Sequence, residues 1–135
     1  ADPGARLVAL CHDHGIKVVP MVGPSSLMLA LMGSGLNGQS FAFCGYLPAK
    51  ADERRKAIRE IERRSSQLNQ TEIFIETRND SMMADLLAAL QPETRLCVAA
   101  DITLPDETIL TKSVRHWRRT PFTIGKRPCV FLILA

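Results

Sequence analysis

Short apolar runs of strand length alternate along this chain with longer segments of helical periodicity, joined by short connections. That rhythm belongs to a layered α/β sheet and to few other architectures. Ile16 to Pro20 reads as a short buried strand. Before it, Asp2 is the expected N-cap and Pro3 the first residue of a helix whose apolar stripe is Leu7, Val8 and Cys11; Gly15 follows as its stop. Gly23-Pro24 then turns the chain into a helix carrying Leu27, Met28, Leu31 and Met32, stopped near Gly33 and Gly35.

The segment from Leu36 to Ser40, rich in Asn, Gly, Gln and Ser, is the predicted domain boundary and divides residues 1–40 from 41–135. Beyond it, Phe41 to Leu47 reads as a strand ended by Pro48. Asp52 is the expected cap of a charged helix reaching about Ser66. Its narrow stripe of Ile58, Ile61 and Leu68 leaves most of that helix facing water, with Glu60 and Arg64 as a surface pair. Glu72 to Glu76 is the next strand. Asn79 or Asp80 caps a helix carrying Met82, Met83, Leu86, Leu87 and Leu90, which Pro92 ends. Strands at Arg95 to Ala100, Thr108 to Lys112 and Cys129 to Leu134, with a short helix from Val114 to Arg119, complete the pattern. The predicted fold class is α/β: the tail of an N-terminal α/β domain, then a C-terminal α/β domain with a roughly five-stranded mixed sheet. The chain has no initiator Met and starts within the alternation, so it is expected to be part of a longer protein and inactive by itself.

Composition narrows the chemistry. With 46% hydrophobic and 23% charged residues the chain has the make-up of a globular protein, and no apolar run approaches the roughly 20 residues of a membrane span. Cys11, Cys44, Cys97 and Cys129 are widely separated, each in an apolar segment and none in a CxxC pair. Buried free thiols, a reducing compartment and a cytoplasmic location are the expectation. His12 and His14 flank Asp13, but such neighbours on a helix do not face one point, so no metal site is expected. No Walker A, GxGxxG, GxSxG or HExxH motif occurs.

Two features do point to ligands. In Gly23-Pro24-Ser25-Ser26, two hydroxyls and the free amides of a first helical turn face the end of a strand, a position suited to a carboxylate or a nucleotide's polar groups. From Lys112 to Arg127, basic Lys112, Arg115, Arg118, Arg119, Lys126 and Arg127 occur without any acid, although net charge is only +3. The stretch is either an anionic-ligand surface or a solvated basic edge. Trp117 within it is a core anchor or a stacking platform.

Four ordered motifs carry a family likeness: Asp2-Pro3-Gly4, Val19-Pro20-Met21-Val22-Gly23-Pro24-Ser25-Ser26, Ser34-Gly35-Leu36 and Phe41-Ala42-Phe43-Cys44-Gly45-Tyr46-Leu47-Pro48. Lys50 with Arg54 and Arg55 adds a Lys-x-x-x-Arg-Arg pattern. The sequence resembles the C-terminal portion of the tetrapyrrole methylase family, closest to the branch of the ribosomal-RNA ribose methylases. The resemblance implies two α/β domains with S-adenosylmethionine between them, and a homodimer. It implies donor contacts at Ser25, Ser26, Glu76, Asp101, Ile102 and Pro128, and names no catalytic residue. Two stretches depart from the family pattern. Glu76-Thr77-Arg78-Asn79 stands where relatives read Glu-(Ser/Thr)-Pro-(Tyr/His)-Arg. Ala100-Asp101-Ile102-Thr103-Leu104 replaces a charged Arg-Glu-Leu-Thr-Lys segment.

The expected function is thus part of a methyltransferase acting on RNA, with the basic residues from Lys112 to Arg127 as the RNA contact. A tetrapyrrole or other small anionic substrate, and a non-catalytic dimerisation or scaffold module, are the alternatives.

Overall fold

The computed structural model describes residues 3–120 and 122–135. Its ten elements are α1 (Ala5–Asp13), α2 (Ser26–Ser34), β1 (Phe41–Tyr46), α3 (Ala51–Leu68), β2 (Thr71–Ile75), α4 (Asn79–Ala89), β3 (Arg95–Ala100), β4 (Thr108–Ser113), α5 (Val114–Arg119) and β5 (Cys129–Leu134). The strands form one mixed sheet in the order β1-β2-β5-β3-β4. Only β1 and β2 are parallel; β5 runs antiparallel to both β2 and β3, and β3 antiparallel to β4. The last strand therefore fills the centre. Cys-Val-Phe-Leu-Ile-Leu is apolar throughout because both of its faces are covered, and its first five residues are buried.

The two faces are covered unequally. On one, α3, α4 and α5 enclose a core in which Phe74 stacks on Phe131 at 5.9 Å, with Leu86, Leu96 and Trp117 around them. Trp117 is the core anchor: it is 2% exposed and its indole donates to the Leu96 carbonyl at 2.9 Å. On the other face lies α2, with Leu27, Ala30 and Leu31 over Ile73, Cys97, Ala99, Val130 and Leu132. Its approach to β4 is close. A Cβ on Gly33 would sit 2.9 Å from Ile109 Cδ1, so the tip of that side chain would have to shift, and Thr111 Oγ1 donates to the Ser34 carbonyl at 2.6 Å.

Several sequence expectations change here. Ile16 to Pro20 is not a strand; Ile16 and Val19 are 59% and 61% exposed, and no neighbouring strand among the described residues takes up their backbone groups. The α1 stripe is likewise not buried. Asp2 lies outside the described residues, and Gly4 rather than Pro3 borders α1 as its N-cap. At α2 the cap is Ser25, one residue after Pro24. Asp52 lies inside the first turn of α3, with Lys50 as N-cap, and Leu68 is exposed.

The largest change concerns α3, whose face is not merely solvated. Arg54, Glu62 and Ser65 are buried in it, and Arg64 pairs with Glu72 of β2 at 2.6 Å. A partnered charge is tolerated in the interior, and no hydropathy pattern reveals its partner. Asn79 and Asp80 do not cap α4. Their side chains hold the segment before β5: Asn79 Nδ2 donates to the carbonyls of Gly125 and Arg127, and Asp80 accepts from the amides of Ile124 and Gly125. The 36–40 connection is irregular, as expected, and is tied to β2 through Thr71 Oγ1 donating to the Asn37 carbonyl at 2.8 Å.

Candidate ligand-binding cleft

β2 and β3 run in the same direction on either side of β5, so their C-terminal ends open together beside the N-terminus of α2. A cavity of about 390 Å³ lies there. Ile75, Ala99 and Val130 floor it; Ser26 enters from the helix, Glu76 and Asp101 with Ile102 from the two strand ends, and Pro128 from the segment leading into β5. Strand ends of an open α/β sheet and a helix N-terminus supply free amides and a concave apolar surface together. Five of the six positions implied by the resemblance meet at this one cavity. Ser25 does not line it; its hydroxyl accepts the Met28 amide as the α2 cap.

Each carboxylate at the rim is held by an arginine. Glu76 Oε1 accepts the Thr77 amide at 2.7 Å and lies within reach of the Thr77 hydroxyl and the Arg78 amide. Its Oε2 is 3.8 Å from Arg54 Nη1. Burial alone would raise the Glu76 carboxyl; these donors and the Arg54 charge outweigh it and hold the group below its usual value. Arg54 is itself 4% exposed and pairs with Asp85, which also accepts from Arg55 at 2.7 Å. The buried pair Arg54–Asp85, with the half-exposed Arg55 as a second partner of Asp85, thus stands behind Glu76. Asp101 adopts a left-handed backbone, φ +50°, and its carboxylate accepts Arg127 Nε at 2.5 Å.

The basic residues expected to contact RNA do not form one surface. Lys112 lies over the Trp117 ring at 5.0 Å, Arg115 pairs with Glu93, and Arg118 donates to the carbonyls of Leu87 and Leu90 at the end of α4. With Arg119 they sit at the opposite end of the sheet, since Lys112 pairs with Leu96 while Thr108 pairs with Ala100. Four residues of β-strand separate those levels, roughly 13 Å. Lys126 and Arg127 lie at the cavity end, and Arg127 is occupied by Asp101, the Asp106 carbonyl and Thr108. A second hollow of about 560 Å³ opens at the far end among Glu62, Arg63, Gln67 and Thr94. There Glu62 is already satisfied by the Gln91 amide and the Thr94 hydroxyl. Among the described residues no group of three or more His, Cys, Asp or Glu is placed to hold a metal ion, and no helix is long and apolar enough to cross a membrane.

Tyr46 also lines the cavity, and Arg54 and Asp85 support it; sequence reasoning named none of the three as site residues. The available signals were Gly45 inside a strand, which marks a bulge, and two adjacent arginines in a helix that otherwise reads as surface.

These features define a mixed α/β fold with a cleft at its strand ends, and that fold is shared with known methyltransferases. The chain superimposes on the methyltransferase CobJ with a TM-score of 0.60 at 16% identity, covering 96% of this chain and 57% of that one. Cobalt precorrin-4 methyltransferase CbiF gives 0.57 at 15%, covering 98% and 58%. No protein-family model matches. In sequence it is 39% identical over 111 residues to ribosomal RNA small subunit methyltransferase I of Vibrio cholerae, covering 81% of this chain and 37% of that protein. The protein of the same name from Neisseria meningitidis serogroup B is 40% identical over 115 residues, covering 84% and 38%. The chain therefore has the tetrapyrrole methylase fold and is a relative of the ribosomal RNA small subunit methyltransferase I proteins. It spans under half the length of those relatives.

Proposed function

We propose that this chain is part of an S-adenosylmethionine-dependent methyltransferase acting on ribosomal RNA at a ribose hydroxyl. The observation that carries this reading is the convergence of Ser26, Glu76, Asp101, Ile102 and Pro128 on one cavity. Residues 1–40 close an N-terminal donor-binding domain and 41–135 form the C-terminal one. The complete protein works as a cytoplasmic homodimer, and four free thiols fit a reducing compartment.

The cavity suits the donor in chemistry. Ile75, Ile102, Leu104 and Val130 offer an apolar bed for an adenosine, and the α2 N-terminus with Ser26 offers donors to a carboxylate. When bound, S-adenosylmethionine supplies an electrophilic methyl group on a sulfonium. The chain's own contribution is to orient and to exclude water. Glu76, held below its usual pKa by its donors, is a weak base and is a positioning group rather than a proton acceptor.

Calorimetric titration of S-adenosylmethionine into the complete encoded protein tests the reading, with Ser26→Trp as a blocked-cavity control. Micromolar binding that disappears in the control is expected. Absence of binding by the folded protein overturns it.

A further inference from the structure

β1 leaves regular pleating at one place. Phe43 pairs with Ile73, but the next pair is Tyr46 with Ile75, so three steps on β1 match two on β2. Gly45 sits in that interval with φ +68°. In unbroken alternation Tyr46 would share the side of Ala42 and Cys44, which faces α3. The extra residue moves it to the side of Phe43, Ile73 and Ile75. That is the side on which the cavity opens, and Tyr46 is the one aromatic side chain lining it among the described residues. Tyr46 is 61% exposed, and its hydroxyl makes no hydrogen bond among the described residues. The left-handed backbone at Gly45 thus serves no packing of Tyr46; its effect is to aim the ring at the rim.

We infer that Tyr46 is an acceptor-binding residue whose ring stacks against an unpaired base of the RNA substrate. This rests on the methyltransferase reading above. The interior of the cavity is aliphatic, and β1 is an edge strand, so the ring stands on the outer lip where a second substrate arrives. Lys126, exposed and without an ion-pair partner among the described residues, stands with Arg78 at the adjoining hollow and gives the same end of the sheet positive charge. Aromatic rings stack on any base, while cations track the phosphates beside it.

The test uses the complete encoded protein with Tyr46→Leu and Tyr46→Phe, an unpaired oligoribonucleotide as probe, and S-adenosylmethionine titrated separately. Tyr46 is exposed, so neither substitution threatens folding. Tyr46→Leu is expected to weaken oligonucleotide binding by about tenfold or more, with Tyr46→Phe near wild type and donor affinity within about twofold in both. Unchanged RNA binding in Tyr46→Leu overturns the inference. So does an equal loss in Tyr46→Phe, which would assign the effect to the hydroxyl, or a parallel loss of donor affinity, which would turn the ring inward. Failure of the wild-type protein to bind donor at all is a separate result, and overturns the methyltransferase reading together with what rests on it.

Discussion

Arg127 Nε donates to Asp101 Oδ2 at 2.5 Å, and its Nη2 reaches the Asp106 carbonyl and Thr108 Oγ1 at 2.6 and 3.0 Å. One guanidinium therefore joins the loop after β3 to the segment entering β5, at the end of the sheet where the cavity lies. The Asp101 amide adds a backbone bond to the Pro128 carbonyl at 3.0 Å. Hydrogen bonds to charged groups contribute roughly 1.5–3 kcal/mol where they are partly sheltered.

Arg127→Met is accordingly expected to lower stability by about 2 kcal/mol and to weaken donor binding, because the wall carrying Asp101 and Ile102 loses its tether. Arg127→Lys restores charge but not the three-way fork, and is expected to recover little. Thermal unfolding with calorimetry checks both. Full donor affinity in Arg127→Met would show that the loop holds itself.

Arg54 and Asp85 form the most enclosed ion pair among the described residues, each side chain 4% exposed. Arg54→Met leaves a buried carboxylate with only Arg55 to answer it, and a loss of about 3–5 kcal/mol is expected. Asp85→Asn in the same background is expected to recover part of that loss, since the uncompensated charge is gone. Chemical denaturation of the single and double variants measures the coupling; strict additivity would mean the pair does not interact.

Asp85 and Glu76 also set the response to acid. Burial by itself would raise the Asp85 carboxyl; hydrogen bonds from Arg55 and Arg54, with their charges, outweigh it and hold the group below its ordinary value. A folded-state pKa below the unfolded one gives stability that is fully present above about pH 4 and is lost as the pH falls through the folded value. The melting temperature should hold from neutral pH to about pH 5 and fall steeply below about pH 4. Asp85→Asn should start lower and fall less. An equal slope in the variant would place the acid sensitivity elsewhere.

Burial, then the bond to Glu72 and its charge, push the Cys44 thiol up to about 11; burial pushes Cys129 up to about 12 and also raises Cys97. The thiolate is the reactive form, so these three should alkylate slowly in the native protein at mildly alkaline pH, with Cys11 on the uncovered α1 modified first. Peptide mapping after timed iodoacetamide treatment reads the order. Rapid labelling of Cys129 would mean that the strand end beneath the cavity opens.

Much of the fold was legible because it is written in local patterns. β5 is apolar at every position and of strand length, and reads as a strand; α4 announces itself by Met82, Met83, Leu86 and Leu90 at helical spacing. Of the cleft residues, Ser26 was legible in the Gly23-Pro24-Ser25-Ser26 helix start, whereas Glu76 and Asp101 were legible only through family resemblance, since they stand in no motif that their own spacing would reveal. Ile16 to Pro20 misled because an apolar β-branched run has strand propensity whether or not a neighbour is there to pair with it.

What the sequence by itself determined, then, is the order and type of most elements, the terminal strand and the turn chemistry around Gly23-Pro24-Ser25. These depend on side-chain period and backbone preference within a few residues. Tertiary structure alone decided that β5 lies between β2 and β3, that Arg54 is buried, that the basic stretch is divided between two ends of the sheet, and that Gly45 turns Tyr46 toward the cavity. Each of those depends on partners distant in the chain, and a charge or a ring acquires its role only from what is brought beside it.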